Sequence, residues 1–439
     1  MDVLREGIEA DLEKFRVPGA SWVVIDGSEI KYTGTAGVMQ AGESAPVGPG
    51  TLFQACSISK PVAVLAMLRL VDRGLLDLDE DVNKRLTSWQ VPPTGDWQPV
   101  VTLRQLASHS AGLTVHGFPG YHHEATLPTT RQVLDGVSPT NTFGVRVDTV
   151  PGTQFRYAGG GTIVLQQLLE DVTGTPFRQL VRDLVLEPLN MSSSDYAQPL
   201  PPELYETAAT AHDEVGRPID GRWHAYPELA AAGLWTTPTD LAKFAIGIQQ
   251  AYAGVDGAVL SPDLAREMLT PQISASERIG GLSHLGLGLF LDDVGQRFGH
   301  SGGNEGFKCH LLAYRDTGQG VVVMTNSDNG MWLVLRAFAA AAAAYGWEGY
   351  PMDVELPDLP SPALAELAGA YRLDGGPAFD VALRGTGLEV TFEKQNPLRF
   401  SARSGTRFAA TTADTELELR DGDLVFIQND EEIPCTRTT

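Results

Sequence analysis

Three serines in this sequence lie in patterns that can mark a catalytic nucleophile. Ser57 and Lys60 form a Ser-x-x-Lys pattern, Ser28 and Lys31 form a second one, and Ser301 is the centre of a Gly-x-Ser-x-Gly pattern. A serine hydroxyl beside a base attacks carbonyl carbons, so each pattern points to acyl transfer through a covalent intermediate. A Ser-x-x-Lys pattern arises by chance roughly once in a chain of this size, so the surroundings must separate the three.

The residues around Ser57 favour it as the nucleophile. The apolar run after it predicts a long buried helix, and residues three apart share one face of a helix, so the amine of Lys60 can reach the hydroxyl. A helix start also offers free N–H groups to a developing alkoxide. Val62 and Val64 would surround the amine with apolar groups, which lowers a lysine pKa and makes the amine a base. A helix-capping serine beside a surface lysine fits the same residues equally well.

The other two serines lack suitable surroundings. Ser28 and Lys31 follow an Asp-Gly turn between two apolar runs, which predicts a hairpin. Residues three apart on a strand point to opposite faces, so that lysine cannot serve its serine. A nucleophile elbow at Ser301 would require a following helix and a histidine well downstream. Another strand is predicted after it, and the only later histidine is His310. Ser57 is therefore the predicted nucleophile.

The patterning predicts an α+β fold with two domains. Strand patterns in about 15–56 and 280–330 predict an antiparallel sheet built from both ends of a main domain, 1–352. Between them, about 57–275 reads as helical segments separated by Pro/Gly-rich loops. A proline-rich linker then leads to a strand-and-turn rhythm, so 356–439 is predicted to form a small all-β domain.

Composition excludes several classes of function. The net charge is −23 over 439 residues, and nucleic acids and anionic membranes would repel such a chain. No uncharged apolar stretch reaches the length of about eighteen residues that a membrane span needs, and no secretory signal is visible. Three scattered cysteines do not form a disulfide framework. These features predict a cytoplasmic enzyme without a nucleic-acid or membrane partner, and they leave its oligomeric state open.

No metal or organic cofactor is implied by the sequence. His122, His123 and Glu124 are the one run that could suggest metal ligation. Adjacent histidines on a loop seldom converge on one ion, so we expect this run to line a pocket instead.

Several motifs together resemble a known superfamily. They occur in one order between about residues 15 and 330, and they are LFQACSISK, VTLRQLASHSAGL, PGTQFRYAGGG, LEPLNM, AAAGLWTTPTDLAKF and FGHSGGNEGF. In these motifs the chain resembles the serine β-lactamase-like superfamily, in particular its class C β-lactamase and D-alanyl-D-alanine carboxypeptidase branch. That branch also contains esterases and D-aminopeptidases.

The resemblance implies roles for individual residues. Ser57 matches the acylated serine of the family, Lys60 its lysine, and Tyr157 the tyrosine of its Tyr-x-Asn motif. The backbone N–H groups of Ser57 and Gly303 match the oxyanion hole, in which two preorganised donors bind the developing charge.

The chain departs from the family at two substrate-binding positions. Gly159 replaces the asparagine of Tyr-x-Asn, and His300 replaces the lysine of Lys-Thr-Gly, so that His300, Ser301 and Gly302 form the matching strand. Loss of the amide and of a permanent cation weakens binding of β-lactams and of substrate carboxylates. An ester needs neither group. The resemblance with these departures implies a carboxylesterase on small esters.

Three alternatives stay open at this point. The first is a D-amino-acid peptidase, an amidase or a weak β-lactamase, which would act on a small amide. The second is an acyltransferase that uses the same acyl-enzyme. The third is a non-catalytic binding or sensor protein, although such a protein would not need Ser57, Lys60 and Tyr157 together.

Overall fold

The computed structural model describes residues 2–279, 282–347, 367–384, 387–392, 397–402, 406–410, 415–420, 422–428 and 431–438. The helices are α1 (Asp2–Phe15), α2 (Ser59–Asp72), α3 (Leu103–Ala107), α4 (Thr130–Asp135), α5 (Gly159–Thr173), α6 (Phe177–Val181), α7 (Leu229–Ala232), α8 (Pro238–Ala253), α9 (Pro262–Met268) and α10 (Gly330–Tyr345). The strands are β1 (Gly19–Asp26), β2 (Glu29–Gly37), β3 (Phe53–Gln54), β4 (Trp235–Thr236), β5 (Ile273–Ile279), β6 (Leu282–Leu285), β7 (Phe290–Leu291), β8 (Arg297–Asn304), β9 (Phe307–Tyr314), β10 (Gly320–Thr325), β11 (Gly369–Leu373), β12 (Ala378–Arg384), β13 (Gly387–Phe392), β14 (Leu398–Ala402), β15 (Arg407–Ala410), β16 (Thr415–Arg420), β17 (Asp423–Gln428) and β18 (Glu431–Thr438).

The main sheet joins the first strands of the chain to strands that come much later. Its eight strands lie in the order β2-β1-β10-β9-β8-β7-β6-β5. β1 pairs antiparallel with β10, which places Trp22 opposite Val323. β1, β9 and β10 are buried along nearly their whole length, as expected for strands covered on both faces. The predicted α+β fold with an antiparallel sheet built from both ends is confirmed.

The last part of the predicted 15–56 sheet region lies outside the main sheet. β3 pairs with β4 in a separate two-stranded sheet, where Phe53 lies opposite Thr236. Ala55 N then donates to Leu234 O at 2.8 Å. This pairing draws the chain away from the sheet edge at β2 and delivers the residues after Ala55 to the helical region.

The helix that follows Ser57 lies in the middle of the helical region. In α2, the first ten residues, from Ser59 to Leu68, are all buried, and the helix packs against α5 and α7. A helix that is apolar on nearly every face is stable only when other elements cover all of it. Any polar group at its start must therefore find its partners within the protein.

The chain divides into two compact units, Met1–Met352 and Asp353–Thr439. In the second unit, β11 to β18 form a closed barrel, in which β11 pairs with β18. The barrel has its own core, and its buried phenylalanines are Phe379, Phe392, Phe400, Phe408 and Phe426. The predicted small C-terminal all-β domain is thus present. The predicted domain ends, 352 and 356, lie outside the described residues.

In the part of the chain that the structure describes, no helix combines the length and the apolar composition needed to cross a bilayer.

We expect the first unit to fold without the barrel, because each unit buries its own apolar core. A chain of residues 1–352 should remain soluble and unfold in one cooperative calorimetric transition. The full chain should show this transition together with that of the barrel. Absence of a cooperative transition in the shortened chain would mean that the first unit depends on the barrel.

Candidate active site

Ser57 lies in a short 3₁₀ turn, Cys56–Ile58, which we call the Ser57 turn. Cys56 adopts φ 52°, a left-handed conformation that is costly for a residue with a side chain. Neighbouring groups hold it there, because Ile58 N donates to Ala55 O at 3.0 Å and Cys56 Sγ donates to Gln54 O at 3.2 Å. The strained backbone ends β3 abruptly and places Ser57 directly before α2.

Lys60 lies one helical turn beyond Ser57, as the spacing predicted. Its Nζ lies 2.9 Å from Ser57 Oγ and 2.9 Å from the carbonyl oxygen of Ala231 in α7. The side chain is only 4% exposed, and burial lowers the pKa of Lys60 from 10.5 to about 7. A neutral amine can donate one hydrogen to Ala231 O and still present its lone pair to the serine hydroxyl. The arrangement can therefore remove the serine proton.

Ser59, between the two, has a structural task that the sequence pattern did not reveal. Its Oγ donates to Cys56 O at 2.6 Å and accepts from Leu234 N at 3.1 Å, while Tyr196 OH donates to Ser59 O at 2.8 Å. These bonds fix the Ser57 turn to the segment before β4. A second serine at the start of a helix predicted to be buried was the available signal.

Tyr157 lies beside Lys60, just before α5. Lys60 Nζ is 5.0 Å from the centre of the tyrosine ring. The ring also lies 4.3 Å from that of His109, 5.0 Å from that of His116 and 6.2 Å from that of His300. The structure thus brings the three predicted catalytic side chains together.

His109 positions the segment that carries Tyr157. Its Nδ1 accepts a hydrogen bond from Ala158 N at 3.2 Å, so the proton of the neutral ring is on Nε2. Burial, and to a lesser degree the charge of Lys60, hold the pKa of His109 well below its usual value. The ring is therefore a neutral support for Tyr157 at neutral pH.

Gly159 has no room for the side chain that the family carries there. A Cβ at this position would lie 2.9 Å from Phe118 Cε2 and 3.1 Å from His116 O. Gly159 N donates to the same carbonyl oxygen at 2.9 Å. The ring of Phe118 fills the space that an asparagine would need, so an aromatic group replaces an amide. A direct substrate contact at Gly159 stays a prediction.

His300 is a buried, neutral group on β8. It is 1% exposed, and burial together with the charge of Lys60 lowers the pKa of His300 to about 3. Its Nδ1 donates to Ser301 O at 2.6 Å, which leaves Nε2 as an acceptor. Among the described residues, this buried Nε2 has no hydrogen-bond partner. The position therefore offers an acceptor and no positive charge.

The hydroxyl of Ser301 is directed away from His300. Successive side chains on a strand alternate between its faces, and Ser301 Oγ hydrogen-bonds with His310 Nδ1 on β9. The ring of His310 in turn packs against Phe338 of α10. The structure does not bring this hydroxyl to the candidate site, and only the backbone of Ser301 remains a predicted substrate contact.

Gly302 on β8 lets the strand approach the Ser57 turn. A Cβ on Gly302 would lie 2.5 Å from both Ala55 O and Cys309 Sγ, so a side chain cannot fit there. Gly303, the predicted second donor of the oxyanion hole, is the next residue and is exposed. Its N–H is therefore accessible to a substrate beside the turn.

The comparisons with known proteins agree with this arrangement. The Beta-lactamase family profile matches residues 4–345. Protein flp of Staphylococcus aureus (strain MRSA252) is 22% identical over 327 residues, which make up 73% of this chain and 62% of that protein. Esterase EstB of Burkholderia gladioli is 27% identical over 240 residues, 52% of this chain and 59% of the esterase. The chain thus matches less than two thirds of the length of these relatives.

Solved structures show the same fold over the whole chain. The octameric penicillin-binding protein homologue from Pyrococcus abyssi has a TM-score of 0.67 and 23% identity, covering 99% of this chain and all of that one. SurE with D-Leu has a TM-score of 0.63 and 21% identity, covering 100% of both chains. With a profile match over most of its length, this chain belongs to the Beta-lactamase family.

Proposed function

We propose that the protein is a serine acyl hydrolase, a carboxylesterase that cleaves small esters through an acyl-enzyme on Ser57. One observation carries the proposal. The amine of Lys60 is buried, has a pKa of about 7, and lies 2.9 Å from Ser57 Oγ. A buried amine that is partly neutral at pH 7 is the base that a serine nucleophile requires.

The reaction follows from the positions of these groups. Lys60 takes the hydroxyl proton while Ser57 Oγ bonds to the ester carbonyl carbon, and the carbonyl oxygen becomes negative. The N–H groups of Ser57 and Gly303 would bind that oxygen; losing one such donor typically costs on the order of 10²–10³ in rate. The C–O bond to the alcohol then breaks, and the alkoxide receives the proton from the pair of Lys60 and Tyr157. Water then attacks the acyl carbon and passes one proton through Tyr157 to the pair of Lys60 and Tyr157. The C–O bond to Ser57 breaks, Oγ receives that proton from the pair, and the acid leaves.

The charges around the site favour esters over β-lactams and free carboxylates. His300 stays neutral throughout the physiological pH range, because its pKa is about 3. Lys308, which pairs with Gly303 across β8 and β9, already donates to Asp328 Oδ1 at 2.6 Å. Neither group is a free cation for a substrate carboxylate. The likeness to an esterase at 27% identity points in the same direction.

The aromatic surroundings favour an apolar acyl or alcohol group. Phe118 lies against Gly159, and the ring of Phe290 lies 6.4 Å from that of Tyr157 and 5.4 Å from that of His300. Phe290 and His300 are buried, so the apolar area that a substrate can contact beside Tyr157 comes from the partly exposed rings of Phe118 and His116. Short aliphatic or aryl esters match such a surface.

Hydrolysis of D-amino-acid amides is the second candidate. The Nε2 of His300 is buried and has no partner among the described residues, so it can accept a hydrogen bond from a substrate amide N–H, a group that an ester lacks, only after a neighbouring side chain moves. SurE, which shares the fold, has been crystallised with D-Leu. Assays with D-amino-acid p-nitroanilides separate this candidate from the esterase.

Substitutions at the three catalytic positions test the mechanism. Ser57→Ala should abolish turnover and labelling by a fluorophosphonate. Lys60→Ala or Tyr157→Phe should lower kcat by at least ~10², because each removes a proton-transfer group. Ser301→Ala is the matched control, since that hydroxyl faces His310, and it should retain most of its activity. Peptide mass spectrometry that located the label on Ser28 or Ser301 would contradict the assignment, as would near-normal turnover of Tyr157→Phe.

The pH dependence tests the state of Lys60. The amine is a base only when neutral, and its pKa is lowered to about 7, so kcat/KM should rise with pH through about 7 and then level off. His300 makes no contribution in this range, because its pKa is about 3. The rate of Ser57 labelling by a neutral fluorophosphonate should follow the same curve. A profile that is flat between about pH 5.5 and 9 would exclude Lys60 as the titrating base.

A lysine at position 300 tests the substrate preference. His300→Lys should raise kcat/KM for nitrocefin relative to p-nitrophenyl acetate by about ten- to a hundredfold, because one charge–carboxylate contact contributes roughly 1.5–3 kcal/mol. His300→Gln is the neutral control and should give no such gain. If the unmodified protein hydrolyses nitrocefin faster than p-nitrophenyl acetate, the ester preference is wrong.

A further inference from the structure

Two loops that are distant in sequence meet beside the candidate site. We call them the His122 loop (116–128) and the Asp220 loop (213–226). Tyr121 and Ala225 form an antiparallel bridge with both backbone hydrogen bonds at 2.8 Å. His224 Nδ1 also donates to Pro119 O at 3.1 Å. The loops are therefore held in register by main-chain bonds.

Three metal-ligating side chains converge where the loops meet. His122, His123 and Asp220 each offer one ligand atom, and these atoms all lie within 4.8 Å of one another. His122 Nε2 is 3.1 Å from Asp220 Oδ2, and the two imidazole rings are 4.1 Å apart. The adjacent histidines, which the sequence suggested would only line a pocket, thus share a carboxylate from the other loop.

The Asp220 loop is shaped to receive the ring of His123. Gly221 has φ 71°, and a Cβ there would lie 1.9 Å from His123 Nδ1, so only glycine leaves space for the imidazole. The next residue, Arg222, fixes the Asp220 loop to the preceding segment, because it donates to Ala208 O at 3.0 Å. Its guanidinium group also lies 4.7 Å from the ring of Trp223. The histidine pair therefore faces an ordered backbone.

We propose that His122, His123 and Asp220 bind one divalent transition-metal ion, such as Zn²⁺, Ni²⁺ or Co²⁺. Two imidazoles and one carboxylate are ligands that these ions prefer, whereas Mg²⁺ and Ca²⁺ favour sites made of oxygen alone. Bonds of about 2.0–2.2 Å to each ligand need only small side-chain rotations from the observed separations. Three protein ligands leave at least one coordination position for water.

The proposed metal site contains none of the proposed catalytic residues, but the loop that carries its histidines also contributes residues beside Tyr157. The His122 loop also carries His116, beside Tyr157, and Phe118, beside Gly159. A metal that ties this loop to the Asp220 loop would reduce its motion. We therefore expect metal binding to stabilise the protein and to change KM more than kcat.

Co²⁺ is the probe of choice, because its visible absorption reports the ligands. Full-length protein stripped with a chelator should bind one equivalent of Co²⁺ with a saturable absorption change, and its Tm should rise with Co²⁺ concentration. His123→Ala and Asp220→Asn should each weaken binding by more than about tenfold. Both variants should keep the metal-free Tm close to that of the unmodified protein, since the three side chains are partly or largely exposed.

Glu124→Gln is the matched control, because it makes the same carboxylate-to-amide change next to the site. Its carboxylate lies 3.9 Å from His123 Nε2 and is not among the three converging ligands, so Co²⁺ affinity should change by less than about threefold. Absence of saturable binding at one equivalent would overturn the proposal. Unchanged affinity in both a His122→Ala/His123→Ala double variant and Asp220→Asn would also overturn it.

Discussion

The burial of one amine constrains the rest of the candidate site. Lys60 Nζ lies in the interior between Ser57 Oγ and Ala231 O. An ammonium group there would lose its hydration, so burial favours the neutral amine. The pKa of Lys60 is therefore lowered to about 7. Three groups enclose the amine, namely the apolar helix α2, the carbonyl group of Ala231 in α7 and the ring of Tyr157. Together they exclude water and give the amine a hydrogen-bond acceptor and a ring contact. The helical layer that encloses this amine is therefore part of the proposed catalytic site.

The same enclosure explains the small and strained residues around Ser57. The turn must contact β8 closely, and Gly302 permits this because any side chain would meet Ala55 O at 2.5 Å. The sharp change of direction requires a left-handed backbone at Cys56. Buried hydrogen bonds offset the conformational strain of this residue. Ser59 then fixes the turn to the segment before β4. Chemistry and packing share these few positions, so substitutions here would alter both activity and stability.

Local patterns predicted what depends on local geometry. The contact of Ser57 with Lys60 follows from helical spacing, and the two-ended sheet follows from where the strand patterns occur. The resemblance implies that His300, Ser301 and Gly302 form one substrate-binding strand, but the hydroxyl of Ser301 faces His310 instead, because successive side chains of a strand alternate between its faces. The other partners could not be predicted, because they come from distant parts of the chain. The carbonyl of Ala231 and the meeting of His122 with Asp220 are set by tertiary packing, for which one sequence gives no spacing rule.

The neutral character of His300 follows mainly from its own burial. Lys60 and His300 are both buried, and burial, with a smaller effect from the charge of Lys60, lowers the pKa of His300 to about 3. If Lys60 and His300 were both protonated, their buried positive charges would repel each other strongly, since a low-dielectric interior screens charge poorly. With an imidazole at position 300, the proposed proton transfer near pH 7 involves Lys60, Tyr157 and Ser57 and not His300. Neither His300 nor Lys308 would offer a free cation to a substrate that carries its own carboxylate, whereas a neutral ester needs none. In the proposed function, a histidine at position 300, where the family carries lysine, thus has two effects. It leaves proton transfer to Lys60 and Tyr157, and it favours substrates that carry no carboxylate.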